Sequence, residues 1–574
     1  MGTCCIREKD HGPSVTKDSP TSPLPDPPAL HTEPASISTD LAVAEFRRSG
    51  TLRCNYESEP LAAGRRGSVM SYDEIRRGKL SGRRSSLVET NCAGGLPINK
   101  LSKPIETLYT LMRALYKDSS CVVYMAKHLQ TGQERLIKRV EKKLRQAHVR
   151  SEEAENRFRS EVLLLQLLDH PNILKVYELY EDRRYFYQIS EALNGGYMLE
   201  DVKIKGKRNI SEQLAANILL QVLKALAYCH SRGIVHRNLR TESIVLQSAP
   251  QEGSVHVLLT GFGSASLLSV RDKLALKISS AVYFAPEALL YEPSEKADIW
   301  SCGVILHMLL CGNPPFNGPT DDTILEQIAS EQSVTFPQPL WVGVSADAIS
   351  LLRGMLTKHP SARLTLAECL NHSWLSANLK SQAQDPKPVI RALRHLKAFE
   401  AKTYLKRTIL SFMSAHIDTP EETKSLRDAF SAMDNNSDGL LSKQELLEAY
   451  CGIMSREEAT YVAEKVMWCV DLNGDGFLDY SEFMLAAKNH KNLMTSTNLR
   501  AIFSQFDSNS NGKISFSEFQ SALNSHKLKT DDQMWATIMR EVDSDGDGEL
   551  NLKEFSQLML AAVDLGKRPR RSFQ

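Results

Sequence analysis

The sequence predicts a multidomain protein in which a disordered N-terminal extension precedes an α+β region and then an all-α region. Residues 1–103 are rich in Ser, Thr, Pro and Gly, and they carry too few large apolar residues to offset the entropy of ordering. Residues 104–376 mix strand-like and helical apolar patterns. Residues 419–565 repeat one acidic loop four times at near-constant spacing, which predicts paired helical calcium-binding units.

The composition limits the function classes. The chain is 42% hydrophobic and 24% charged, which fits soluble globular domains. Its net charge of +1 gives no strong positive potential that would attract nucleic acid, so no nucleic-acid partner is expected. The 11 cysteines form no C-x-x-C pair, which favours reduced thiols in an intracellular protein. No apolar run reaches the roughly 18 residues of a membrane span, and we expect a cytoplasmic location.

The first residues contain candidate lipidation sites. Gly2 fits an N-myristoylation acceptor, although Ile6 stands where that motif prefers Ser or Thr. Cys4 and Cys5 are candidate palmitoylation sites. Two lipid groups anchor a protein stably to a membrane, whereas a single one gives only marginal binding. The alternative is an unmodified tail, and the sequence leaves both open.

Two further sites in the extension resemble targets of a basic-directed kinase. Ser68 and Ser86 each follow a pair of arginines and precede an apolar residue. A phosphate on either serine would change the charge of a locally basic strip.

Residues 104–376 resemble a Ser/Thr protein kinase and are similar to the calcium-dependent protein kinases. The resemblance is carried by Leu168–Leu174, by Trp300–Leu306 and by His236–Leu246, which follows the catalytic-loop pattern H-R-D-L-x-x-x-x-N with changes. It implies a bilobal fold, with a small five-stranded lobe and one helix over a larger helical lobe.

The residues that support the family's architecture are present. The resemblance implies an ion pair between Lys138 and Glu161 that fixes the small-lobe helix, and a second pair between Glu287 and Arg363 inside the large lobe. It also implies that Asp298 braces the catalytic loop and that Phe262 packs between the lobes. None of these roles requires ATP.

The residues that handle metal and the transferred proton are changed. Asn238 stands where the family has the catalytic Asp, and Ser243 where it has a metal-binding Asn. Gly261 replaces the Asp of D-F-G, so the carboxylate that would hold Mg²⁺ is missing. Arg240 replaces a phosphate-facing Lys and keeps its charge. Phosphoryl transfer depends on positioning and on metal, so no residue is expected to be catalytic.

The predicted nucleotide site is altered as well. The three glycine positions of the phosphate loop are Tyr116, Asp118 and Cys121, although backbone N–H groups can approach phosphates closely only where no Cβ intervenes. Leu136 replaces the small residue that roofs the adenine. We therefore expect ATP–Mg²⁺ binding at Lys138 to be weak or absent.

A junction at residues 377–418 follows the kinase-like region. After a polar segment broken by proline, the pattern predicts a basic amphipathic helix with Ala392, Leu393, Leu396 and Phe399 on one face. The resemblance implies that this autoinhibitory helix is the intramolecular partner of the calcium-binding domain. The alternative is a helix packed on the large lobe.

Residues 419–565 contain four loops that fit the EF-hand pattern of oxygen ligands at positions 1, 3, 5, 7, 9 and 12, with Gly at position 6. Position 7 uses its backbone carbonyl. The predicted Ca²⁺ ligands of the first two loops are Asp434, Asn436, Asp438, Leu440, Ser442 and Glu445, and Asp471, Asn473, Asp475, Phe477, Asp479 and Glu482. Those of the last two loops are Asp507, Asn509, Asn511, Lys513, Ser515 and Glu518, and Asp543, Asp545, Asp547, Glu549, Asn551 and Glu554.

Position 8 is apolar in every loop and is expected to pair the loops as short strands. Ligand charge raises calcium affinity, and loop three has only Asp507 and Glu518 as carboxylate ligands. Loop three is therefore predicted to be the weakest site. A basic tail is predicted at residues 566–574.

Together these patterns predict a calcium-sensing pseudokinase that acts through protein–protein contacts with an unidentified partner, with a membrane contact if the N-terminus is acylated. An atypical calcium-dependent Ser/Thr kinase and a calcium buffer with an inert fused domain are the alternatives.

Overall fold

The computed structural model describes residues 99–563, with gaps at 102–103, 118–120, 143–157, 160, 166, 194–209, 248–254, 268–280, 291–293, 331, 380–385, 400–419, 472, 491–493, 508, 510, 525–534, 537–538 and 541. Several predictions fall outside the described residues: Gly2, Cys4, Cys5, Ser68, Ser86, Asp118, the second half of the junction and the basic tail.

A twisted sheet forms the small lobe. Its strands are β1 (Asn99–Lys100), β2 (Tyr109–Lys117), β3 (Cys121–His128), β4 (Glu134–Glu141), β5 (Val176–Glu181) and β6 (Tyr185–Ser190), in the spatial order β1-β5-β6-β4-β3-β2. The five predicted strands are present. The short β1 lies in the segment that the sequence assigned to the disordered extension, and it pairs in parallel with β5. That boundary was therefore wrong by a few residues.

The small-lobe sheet buries apolar side chains on its two faces. Ile137 and Ile189 lie in one cluster, and Val123 and Leu136 lie in another. Helical residues at 158–159, 161–165 and 167 bring Phe158 into the core that continues through the large lobe. Glu161 lies in this helical region and contacts Lys138 of β4.

The large lobe is mainly helical, as predicted. Its helices are α1 (Glu212–Ser231), α2 (Glu295–Cys311), α3 (Asp321–Ala329), α4 (Ala346–Met355), α5 (Leu366–Leu370) and α6 (Ser373–Leu379). Helix α2 is buried along nearly its whole length, including the fully enclosed Trp300, and it ends at Gly312 in a left-handed conformation that favours glycine. Three short strands frame the cleft on this side: β7 (Ile234–Val235), β8 (Ile244–Leu246) and β9 (Val257–Leu259).

One further strand of the cleft, β10 (Ser266–Leu267), pairs with β7. Strands β8 and β9 form a hairpin-like antiparallel pair. The catalytic-loop residues lie between β7 and β8, and Gly261 follows β9, so these pairings bring the two segments face to face.

The C-terminal region contains two EF-hand pairs. The first consists of α8 (Pro420–Met433), β11 (Leu441–Ser442), α9 (Lys443–Cys451), α10 (Arg456–Val470), β12 (Phe477–Leu478) and α11 (Tyr480–Ala487). The second includes α12 (Ser496–Phe506), β13 (Lys513–Ile514), α13 (Phe516–Asn524), β14 (Leu550–Asn551) and α14 (Leu552–Val563). Leu441 pairs with Leu478 and Ile514 with Leu550, which confirms the predicted pairing at position 8.

The first half of the junction forms α7 (Lys387–Ala398). Its apolar face, including Leu393 and Leu396, is buried in the same core as the first EF-hand pair. Tyr450 donates a hydrogen bond of 2.9 Å to the Leu393 carbonyl, and His395 Nδ1 lies 2.6 Å from the Ala487 carbonyl. In the described structure this helix therefore packs on the first EF-hand pair.

Within the described ranges, no helix is both long and apolar enough to cross a membrane.

Candidate functional site

The strand lysine and the helix glutamate meet as predicted. Lys138 Nζ donates to Glu161 Oε1 and Oε2 at 2.8 and 2.7 Å. Glu161 is 6% exposed, so this ion pair is largely shielded from water. Strand β4 places Lys138 opposite Val123 and Gln188, which directs its side chain toward the cleft between the lobes. The pair fixes the small-lobe helix against the sheet without any ligand.

Asp298 supports the catalytic loop by hydrogen bonds to its backbone, also as predicted. Its carboxylate accepts the backbone N–H groups of His236 and Arg237 at 2.9 Å each, and His230 Nε2 lies 2.9 Å away. Burial alone would raise the pKa of Asp298, but these hydrogen bonds hold it below its usual value. Arg237 adopts a positive φ of 63°, which this bracing stabilises.

Two other architectural predictions are confirmed. Phe262 is fully buried, and its ring packs edge-on against His236 with centroids 4.7 Å apart. Arg363 is 2% exposed and donates to the two carboxylate oxygens of Glu287 at 2.5 and 2.8 Å. Both features stabilise the large lobe from inside.

The two positions that would hold a metal face each other. Gly261 has a φ of 86°, and a Cβ built on it would lie 3.2 Å from Ser243 Oγ. The Ser243 hydroxyl donates a hydrogen bond of 3.1 Å to the Asn238 carbonyl. Mg²⁺ requires several oxygen ligands in near-octahedral geometry. One hydroxyl that is already engaged does not fit that requirement.

The space for the adenine is lined by side chains that pack on one another. Leu136 and Val123 are each 3% exposed and belong to one apolar cluster with Leu174 and Val245. Tyr116, which occupies a glycine position of the phosphate loop, packs against this cluster. The described residues therefore do not fit ATP–Mg²⁺ in the manner of the family pattern. Arg240, the other cationic candidate, has its Nε 3.8 Å from a carboxylate oxygen of Glu242.

The four acidic loops share one geometry. At position 6, Gly439, Gly476, Gly512 and Gly548 have φ values of 77°, 85°, 83° and 80°. In each loop this glycine donates its N–H to the carboxylate at position 1, at distances from 2.8 to 3.2 Å. The position 12 glutamate in turn accepts the N–H of position 9, at 2.9 to 3.1 Å. This folding directs carboxylates toward the centre of each loop.

Calcium fits these loops. In loop four, Asp543, Asp545 and Asp547 place carboxylate oxygens within 4.8 Å of one another. In loop one, Asp434 is 5% exposed, and its Oδ1 is buried without a hydrogen-bond partner among the described residues. Burial raises the pKa of Asp434 to about 6. The positive charge of Lys224 lowers this pKa in part, and the negative charge of Asp438 raises it further. A divalent cation would compensate this buried charge.

The structure also shows contacts that ligand counting did not predict. Lys513, at position 7 of loop three, forms an ion pair with Asp547 of loop four. Asp169, in the kinase-like region, accepts the backbone N–H of Ser481 at 2.8 Å, just beyond position 9 of loop two. No motif signals either contact, because Asp169 and Ser481 lie in different regions of the chain and Lys513 and Asp547 belong to different loops of one EF-hand pair.

Comparison with known proteins agrees with this arrangement. A protein kinase domain model matches residues 109–375, and an EF-hand domain pair model matches residues 423–488 and 496–560. The chain is 32% identical over 411 residues to calcium-dependent protein kinase 4 of Plasmodium berghei (strain Anka), a match that spans 70% of this chain and 76% of the relative. It is 32% identical over 411 residues to calcium-dependent protein kinase 19 of Arabidopsis thaliana, over 71% of this chain and 72% of the relative.

A protein-kinase fold followed by calcium-binding EF-hand pairs defines a calcium-regulated, kinase-like protein. The chain belongs to the calcium-dependent protein kinase family.

Proposed function

We propose that this chain is a calcium-sensing pseudokinase: a family member that binds Ca²⁺ through its four EF-hand loops and signals through protein contacts instead of phosphoryl transfer. The observation that carries this proposal is the pair of metal positions, Gly261 and Ser243. They face each other as they should, yet together they offer one hydroxyl, which is bonded to the Asn238 carbonyl at 3.1 Å. No carboxylate stands at Gly261, so a base restored at Asn238 would still lack a metal to act with.

The supporting residues favour the same interpretation. The bracing of the catalytic loop by Asp298 and the Glu287–Arg363 pair are intact. These contacts maintain the shape of the domain and need no nucleotide. A domain that keeps its internal supports and lacks its metal ligands is suited to present a surface that a partner recognises.

The second candidate is an atypical calcium-dependent Ser/Thr kinase. The Lys138–Glu161 pair favours it, because this pair is formed at 2.7 Å in the arrangement that phosphate binding would need. The similar proteins from Plasmodium berghei and Arabidopsis thaliana are both named as calcium-dependent protein kinases. Under this candidate, other groups would replace the missing carboxylate.

Thermal unfolding of the full chain with ATP, with and without Mg²⁺, separates the two candidates. The pseudokinase proposal predicts no Mg²⁺-dependent rise in the unfolding temperature. A rise that Lys138→Met abolishes would establish nucleotide binding at the family site and would overturn the proposal. A rise that Lys138→Met leaves unchanged would come from nucleotide bound elsewhere and would leave the assignment of this cleft intact.

The third candidate is a calcium buffer with an inert fused domain. It predicts that calcium leaves the junction at residues 377–418 unchanged, whereas a sensor alters its exposure. Limited proteolysis of this junction, with and without Ca²⁺, distinguishes a sensor from a buffer.

For location, we propose a cytoplasmic protein that reaches a membrane through acylation of Gly2 with Cys4 or Cys5. Two lipids would give stable attachment and one only marginal attachment. Mass spectrometry of the N-terminal peptide from native cells tests this proposal, and an unmodified peptide would contradict it.

A further inference from the structure

Two short strands join the third and fourth calcium loops side by side. Strands β13 and β14 are antiparallel, and their register places Lys513 opposite Asn551. Lys513 is position 7 of loop three, and Asn551 is position 9 of loop four. The first pair has the same register, with Phe477 of loop two opposite Ser442 of loop one. In each pair, a position 7 residue therefore lies next to a predicted calcium ligand of the neighbouring loop.

The residue type at position 7 differs among the loops. This position is Leu440, Phe477, Lys513 and Glu549 in loops one to four. Position 7 contributes its backbone carbonyl to calcium, so the EF-hand pattern leaves the choice of side chain open. Lys513 is the one cation among the four. The register is shared by both pairs, but only the second pair uses it to bring a positive charge to a neighbouring loop.

The Lys513 side chain contacts a carboxylate that loop four would use for calcium. Its ammonium group donates to Asp547 Oδ2, and Asp547 is position 5 of loop four. The other oxygen, Asp547 Oδ1, accepts the Glu549 N–H at 2.8 Å. Asp547 also belongs to the group of carboxylates, with Asp543 and Asp545, whose oxygens lie within 4.8 Å of one another. A cation from loop three thus occupies one of the ligands gathered in loop four.

The exposure of this pair limits how strongly it can act. The Lys513 side chain is 43% exposed and that of Asp547 is 30% exposed. Water and salt screen an ion pair of this kind, so its contribution is small. The contact therefore lowers the affinity of loop four without closing the loop to calcium.

We propose that Lys513 of loop three is an internal cation that competes with calcium for Asp547 of loop four. Calcium binding in loop four requires Asp547 to exchange the ammonium group for the metal, and by linkage bound calcium releases the Lys513 side chain. Loops two and four each have four carboxylate ligands, so ligand charge alone ranks them equally. The competition makes loop two the tighter of the two, because its partner loop has the uncharged Leu440 at position 7.

Calcium titration of the full chain by equilibrium dialysis at low salt tests the competition with Lys513→Met. The expected result is a rise of about two- to fivefold in the affinity of one site, the range for an exposed ion pair. Lys513→Arg keeps the charge and should bind calcium as the natural chain does. Lys553→Met is the matched control, because it removes the same charge from an exposed position 11 of loop four. Its effect should be clearly smaller, and equal gains in the two methionine variants would refute a direct contact.

Disabled loops show which site gains affinity. Glu554→Gln removes the position 12 carboxylate of loop four, so adding Lys513→Met to it should give no further gain. Glu518→Gln disables loop three and should leave the gain in place. The competition is refuted if Lys513→Met leaves every affinity unchanged, or if its gain persists without loop four. The gain should also shrink as salt is raised, and a gain that salt does not change would contradict an ion pair.

This inference rests on the calcium-binding part of the proposed function, and the same titration separates the two. Failure of calcium sensing would appear as the absence of saturable calcium binding in the natural chain. Failure of the competition would appear as normal binding in the natural chain that Lys513→Met does not alter.

Discussion

The Gly439 turn lies against buried side chains of the large lobe, so we expect a methyl group added there to weaken this contact. In Gly439→Ala, the new methyl would overlap the rings of His170 and Tyr228 at 2.5 and 2.7 Å, closer than real Cβ contacts allow. Both rings are buried, and the Tyr228 hydroxyl accepts the Asp169 N–H at 2.8 Å, so neither can move aside freely. Overpacking of this kind costs about 1–3 kcal/mol.

Gly476→Ala is the matched control. Alanine at either position suffers the cost of a left-handed conformation, about 1–2 kcal/mol, because φ is 77° at Gly439 and 85° at Gly476. In both variants this backbone strain destabilises the first EF-hand pair. The additional 1–3 kcal/mol of overpacking falls on the interface and arises only at Gly439.

Urea unfolding of the full chain in calcium-free buffer measures this difference. The tryptophans at positions 300, 341 and 374 report on the large lobe through their fluorescence. We expect Gly439→Ala to lower the midpoint of the large-lobe transition, because it removes stabilisation by the docked loop, and Gly476→Ala to leave that midpoint unchanged. Equal midpoints for the two variants would refute the docking of loop one.

Asp298→Ala should destabilise the large lobe by about 3–5 kcal/mol in urea unfolding, because it leaves two buried N–H groups unpaired, and a loss below about 1 kcal/mol would contradict the bracing role. Lys138→Met should lower stability by about 1–3 kcal/mol through the unpaired Glu161, with no change in the response to ATP. Glu518→Gln should leave the tightest calcium sites intact, whereas Glu482→Gln should remove one. Loss of the tightest site in Glu518→Gln would reverse the predicted ranking.

Features set by short motifs were predictable from the sequence. The Lys138–Glu161 pair follows from fixed positions in a family pattern, and the pairing of Leu441 with Leu478 follows from the EF-hand repeat. In each case the local geometry is decided by residue type and spacing. A left-handed turn needs glycine, and a position 8 side chain faces its counterpart in the paired loop.

Contacts between distant segments, or between two loops of one pair, were not predictable in this way. Asp169 lies 312 residues before Ser481, and no periodicity in either segment shows that they will meet. The Lys513–Asp547 pair likewise depends on how two loops face each other. Counting the carboxylate ligands of loop four therefore did not show that Asp547 also pairs with a lysine. The short β1 escaped notice because two residues carry too little pattern to distinguish a strand from a polar extension.

We propose that the kinase-like domain of this chain does not transfer phosphate. Incubation of the full chain with labelled ATP, Mg²⁺ and saturating Ca²⁺, together with a basic peptide that carries serine, tests it most directly. We predict no label above that of a heat-denatured sample, and the same result for Asn238→Asp, because Gly261 still provides no carboxylate for the metal. Calcium-stimulated labelling that disappears in Lys138→Met would contradict the proposed loss of activity and identify the chain as an active kinase.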